Sequence, residues 1–257
     1  DYTELFKDEF KKMAQEFEKA AETSTNADFA EYLKLQAKAL RVADPMADAY
    51  ADKKWATLQD TPLELTITRE CYDDTLSTSI SENKELLGML DERGIQVYPK
   101  DSLGCRVGIV NKESTNDLLK IKKFLPAMAK LMPFNDQYEQ NIKPEGDSKQ
   151  TMVDVDLLML AGDCGAYRGG VTLAENLPND DKMSLTIGGG RRNVYHRQIR
   201  LGAKPEKVKE RLDAILDPEQ HKYYNLEADH WFTIGHENTH SLGPTQGREK
   251  LGKYQSI

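Results

Sequence analysis

Hydrophobic residues in the first sixty positions recur at helical spacing. Leu5, Phe6, Phe10, Met13, Phe17 and Ala20 predict one helix, which Ser24-Thr25-Asn26 interrupts. Phe29, Tyr32, Leu33, Ala37 and Leu40 predict a second, and a third runs from Pro45 past Tyr50 to Trp55 and Leu58, with Asp44 as its N-cap. The aromatics of these helices are read as core. After Thr61-Pro62 the period changes to two: Leu63-Glu64-Leu65-Thr66-Ile67-Thr68 alternates as a half-buried strand does. Further strands are expected at Cys105–Val110, Val153–Leu160, Val171–Ala174 and Val194–Ile199, with a helix over Asp117–Leu131 and a polar surface loop over Gln137–Gln150. Helical spacing returns at Pro205–Leu216 and again from Tyr223 to Leu242. The pattern predicts an α+β fold: a helical segment over 1–60, a β-rich region over 61–204, and a helical segment over 205–257.

Composition narrows the class of function. The 257 residues carry a net charge of −8, which disfavours nucleic acid or an anionic membrane as a partner. No apolar run approaches the roughly 20 residues that cross a bilayer, and the first residues, Asp1 to Phe10, have no signal-peptide character. Three cysteines, Cys71, Cys105 and Cys164, form neither a zinc ribbon nor a disulfide framework. A reducing, cytoplasmic setting is the expectation. The glycine clusters at Gly162–Gly170 and Gly188–Gly190 match no phosphate-loop pattern and read as turns, and the adjacent Arg191 and Arg192 read as solvated.

The candidate chemistry lies in His236-Glu237-Asn238-Thr239-His240. Histidines four apart on a helix stand on one face, where both imidazoles can reach one zinc ion, and the glutamate beside the first can act as general base toward water at the metal. On a helical wheel Asp229, Thr233 and His240 share the side of His236, while Trp231, Ile234 and Leu242 fall opposite; Asp229 is thus placed to orient a ligand imidazole. Gly243-Pro244 stops the helix. The competing reading is an ordinary amphipathic helix with two solvated histidines. Asn238 and Thr239 are polar for such a helix, and a zinc site needs a third protein ligand although only seventeen residues follow His240.

Two more segments accompany the pentad. Ile67-Thr68-Arg69-Glu70-Cys71-Tyr72-Asp73-Asp74 continues the first strand, and Asn176-Leu177-Pro178-Asn179-Asp180 follows an expected strand over Gly170–Glu175. Together with His236 to Pro244, they resemble the dipeptidyl peptidase III family of zinc exopeptidases. The similarity is to its shorter-motif branch, represented by the peptidase-like region of plant Nudix-fusion proteins and bacterial relatives. The resemblance implies part of a two-lobed metallopeptidase, with Zn2+ as cofactor and a short peptide as substrate. His236 and His240 would bind the metal, Glu237 would be the general base, Tyr72 would donate to the oxyanion, and Asn176 and Asn179 would hold the peptide backbone. It also implies an E-E-x-x-A-D segment that supplies the third ligand. Nothing after His240 matches it, since Glu249 stands alone. The third ligand is therefore expected beyond Ile257, in a C-terminal portion of the same protein that would complete the zinc-binding lobe. The alternative is a non-catalytic peptide-binding module with an incomplete metal site.

Overall fold

Side-chain caps set where the third and fourth helices begin. The structure, a computed structural model, describes residues 2–42, 44–72, 84–94, 100–138, 151–162, 172–178, 187–202 and 204–243. A short α1 (Tyr2–Leu5) precedes α2 (Lys7–Thr23). The carboxamide of Asn26 accepts from the Phe29 amide to start α3 (Ala27–Arg41), and Asp44 accepts from the Met46 amide to start α4 (Pro45–Trp55), which carries Pro45 in its first turn. The expected apolar positions of α3 are buried, as are Phe10, Ala14 and Ala21 of α2. Leu5 and Phe6 are exposed, because the first helix breaks at Phe6 and turns them away from that face.

Five strands follow: β1 (Leu63–Tyr72), β2 (Lys100–Val110), β3 (Thr151–Gly162), β4 (Ala174–Leu177) and β5 (Arg192–His196), in the sheet order β1-β2-β3-β5-β4. Helix α5 (Lys84–Glu92) lies between β1 and β2 in sequence. The helix expected over 117–131 divides into α6 (Lys112–Leu118), a 3-10 turn (Leu119–Lys123) and α7 (Leu125–Leu131). Pro126 accounts for the restart: it lacks an amide hydrogen and fits only a first helical turn. Then come α8 (Arg197–Leu201), α9 (Pro205–Ile215), a 3-10 turn (Pro218–Tyr223) and α10 (Leu226–Thr239). The α+β order expected from sequence is observed. Two strands sit elsewhere than expected. β4 begins at Ala174 and includes Asn176, and β5 starts at Arg192 and gives way at Arg197 to a helix. From residue 139 on, the expected polar loop lies outside the described residues. Among the described residues, no helix is long and apolar enough to cross a membrane.

The chain divides into two compact units, the larger comprising Asp1–Glu64, Gly108–Leu158 and Thr172–Ile257, the smaller Leu65–Val107 and Met159–Val171. Within the smaller, Gly162 has φ +63°, and a Cβ there would come within 2.2 Å of the Leu103 carbonyl oxygen, so β2 and β3 approach closely only because this residue is glycine.

Within the larger unit β3 pairs in parallel with β5, Met152 opposite Asn193 and Asp154 opposite Tyr195; β4 pairs antiparallel with β5, Asn176 opposite Asn193. Alternation therefore gives the sheet two different faces. One carries Met152, Ala174 and Tyr195, which join Leu118, Ile121, Leu125, Ala129, Ile234 and Leu242 in an apolar core. The other carries Thr151 and Arg192 against α4. Arg192, expected to be solvated, is fully buried. Its guanidinium donates through Nη2 (2.7 Å) and Nε (3.2 Å) to Glu64 and through Nη1 to Thr151 Oγ1, and lies 5.6 Å from the Trp55 ring centre. Trp55 Nε1 donates to the other Glu64 oxygen at 2.6 Å. Arg192→Ala would leave the Glu64 carboxylate buried without its cation. We expect a loss of roughly 3–5 kcal/mol of stability, read from chemical denaturation.

Candidate metal centre

The helix that carries the pentad starts and stops on local signals. Asn225 Oδ1 accepts from the Glu227 amide at 2.7 Å and from the Ala228 amide at 3.4 Å, with Glu227 and Asp229 in the favourable first turn. The helix ends at Thr239 with His240 as its C-cap, and Gly243 takes φ +100° in the turn beyond, where the chain leaves the helical path. Ile234, Asn238 and Leu242 are four residues apart and all buried, forming the face that packs on the sheet. Trp231, expected on that face, is 36% exposed and Phe232 is 73% exposed, because the first half of α10 lies largely in solvent.

On the opposite side His236 and His240 are exposed and converge. Their Nε2 atoms stand 3.1 Å apart, with ring planes at 89°. Two zinc–imidazole bonds of about 2.0–2.1 Å span such a gap, so the pair fits one ion. Burial, then the neighbouring His236 and Arg191, hold the His240 pKa below its ordinary value. That favours the neutral ring, the form that binds metal. Glu237, beside His236 in the chain, is buried, 8% exposed, and burial raises its pKa to about 7. A carboxyl poised near neutrality can both take and return a proton. Among the described residues, no group of three His, Cys, Asp or Glu side chains is placed to hold a metal. Glu249 lies outside the described residues. Asp229 is exposed, and its carbonyl accepts from Thr233 Oγ1.

The pentad's two polar middle residues have structural explanations. Thr239 Oγ1 donates to the Gly235 carbonyl at 2.7 Å, absorbing its hydroxyl within the helix. Asn238 is fully buried, and its Nδ2 donates to Tyr195 Oη at 3.1 Å and to the Ile234 carbonyl at 2.8 Å. Burial, followed by the charge of Glu237, pushes the Tyr195 pKa far up, so the phenol stays protonated. Tyr195 and Asn193 join the site without a motif to mark them, and Arg191, expected to be solvated, donates to Asn176. The signal was present in the two-residue period of β5, which puts Asn193 and Tyr195 on one face.

Asn176 is brought to this site, but its side chain is buried and already engaged. Nδ2 donates to Asn193 Oδ1 and, at 3.0 Å, to Ser241 Oγ, while Oδ1 accepts from Arg191 at 2.9 Å. Asn179 lies outside the described residues, as does the side chain of Tyr72, which ends β1 in the smaller unit.

No family model matches the sequence. No curated protein matches it either. Solved structures do. The chain superposes on DPP III from Caldithrix abyssi with a TM-score of 0.65 and 26% identity, over 95% of its own residues and 41% of that protein. It superposes on dipeptidyl-peptidase III from Corallococcus sp. strain EGB with a TM-score of 0.66 and 20% identity, over 95% and 40%. The fold resembles that of dipeptidyl peptidase III. The chain spans about two-fifths of the length of those two proteins. Its similarity to them is that of a peptidase-like fold.

Proposed function

We propose that this chain forms part of a zinc-dependent peptidase acting on short peptides, to which it contributes two metal ligands, the general base and the peptide-docking strand. The observation that carries this reading is the convergence of two imidazole nitrogens 3.1 Å apart beside a buried carboxyl whose pKa lies near neutrality. His236 and His240 would hold the ion, with a third ligand outside the described residues. Bound there, zinc would polarise the scissile carbonyl and make water a better nucleophile. Glu237 takes a proton from the attacking water and returns it to the departing amine, so its carboxyl ends as it began. The fold and the ordered motifs support the substrate class by similarity to dipeptidyl peptidase III.

Peptide capture would use β4, the last strand of the sheet among the described residues. An extended peptide beside an edge strand gains main-chain hydrogen bonds along its length. Because the Asn176 amide is spent on Asn193, Ser241 and Arg191, its part is to hold β4 rigid rather than to grip the peptide directly. Asn179 would hold the peptide backbone, as the resemblance implies.

The absence of a third ligand among the described residues favours a second reading, a peptide-binding module that does no chemistry. One experiment separates them. In the full natural protein, short peptides should lose N-terminal dipeptides, as followed by mass spectrometry. A chelator should abolish the reaction and added zinc restore it. Peptide binding without hydrolysis at any zinc concentration would establish the binding module instead.

A further inference from the structure

Apolar packing holds the motif helix to the sheet, but apolar packing has no direction of its own. Ile234 and Leu242 alone would let α10 roll on the face formed by Met152 and Tyr195. His236 and His240 ride on one helix, so such a roll would leave their separation intact. It would shift their aim at anything not on that helix: a third ligand, or a peptide laid along β4. Hydrogen bonds, with fixed lengths and directions, remove this freedom.

The bonds beneath the helix form a closed ring. Tyr195 Oη accepts from Asn238 Nδ2 at 3.1 Å and from Asn193 Nδ2 at 3.2 Å, and donates to the Ile234 carbonyl at 3.3 Å. Asn193 Oδ1 accepts from Asn176, and Asn176 donates in turn to Ser241, just past the end of α10. The path leaves the helix at Asn238, crosses β5 to the edge strand β4, and returns at Ser241. Every side chain in it is nine-tenths buried or more, so water does not compete for these bonds.

We propose that Tyr195 is a positioning residue: its hydroxyl, held by Asn193 and Asn238, sets the rotation of α10 and so aims His236, Glu237 and His240. Through Asn193 and Asn176 the same ring fixes the edge strand relative to that helix. The metal-binding face and the peptide-docking strand form one hydrogen-bonded body. This inference rests on the zinc peptidase reading.

The test is zinc affinity, measured in the full natural protein by competition with a chelator and with zinc alone as the probe. Tyr195→Phe keeps the ring in the core and removes only the hydroxyl. Its zinc affinity should fall about tenfold, with kcat falling more than KM changes. Ile121→Val loosens the same apolar core without touching the ring of bonds, and should lower the melting temperature while leaving zinc affinity intact. Asn176→Ala opens the ring on its far side and should weaken zinc as Tyr195→Phe does, which keeps the test available if either variant fails to fold. Wild-type zinc affinity in the folded variants, whatever their melting temperatures, would overturn the positioning role. A wild-type protein that binds no zinc would instead sink the peptidase reading, and this inference with it.

Discussion

His236→Ala should weaken zinc binding by roughly 10²–10³-fold while leaving the fold in place. Structural zinc sites gain about 10–16 kcal/mol from four ligands, or roughly 3–4 kcal/mol each, and about 1.4 kcal/mol is a tenfold change in affinity. His236 is exposed, and among the described residues its ring meets His240 and the exposed Phe232, so little of the fold depends on it. His240→Ala should behave alike. Isothermal titration with zinc gives the affinity, and a thermal melt on the same samples gives the stability. A variant that lost affinity only in proportion to lost fold would mean that the imidazole is not a ligand.

Glu237→Gln should separate chemistry from metal binding. Glutamine matches the shape of the glutamate and suits its buried setting, but it cannot accept a proton. Hydrolysis should fall by roughly 10²-fold or more, the usual contribution of a positioned general base. Zinc affinity and melting temperature should stay close to wild type, because glutamine keeps the size of the side chain and Glu237 is not one of the two metal ligands. Steady-state kinetics beside a zinc titration on the same preparation would decide it. Retained kcat in a zinc-loaded Glu237→Gln would remove Glu237 from the chemistry.

Much of the fold was legible because it rests on local signals. The helices of the first sixty residues follow apolar spacing and caps at Asn26 and Asp44, and the pentad's two histidines need only the pitch of one helix to meet. Buried polar groups were the hard part. Arg192 looks solvated beside Arg191, yet its partner Glu64 lies 128 residues away, and no local window contains both. Asn238 looked out of place for the same reason, since its partner Tyr195 is 43 residues earlier on another element. The strand expected to end at Ala174 or Glu175 instead runs from Ala174 to Leu177, where Glu175 and Asn176 are buried by pairing with β5. Polar pairing of this kind is specified by tertiary contact, which hydrophobic periodicity does not encode.

The central claim is that His236 and His240 share one zinc ion. Crystals of the zinc-loaded full natural protein, measured on either side of the zinc absorption edge, test it most directly. The account predicts one anomalous peak at about 2.0–2.1 Å from the Nε2 atoms of both rings, with a carboxylate oxygen completing the protein ligands. An anomalous peak elsewhere, with the two imidazoles still in direct contact with each other, would contradict it.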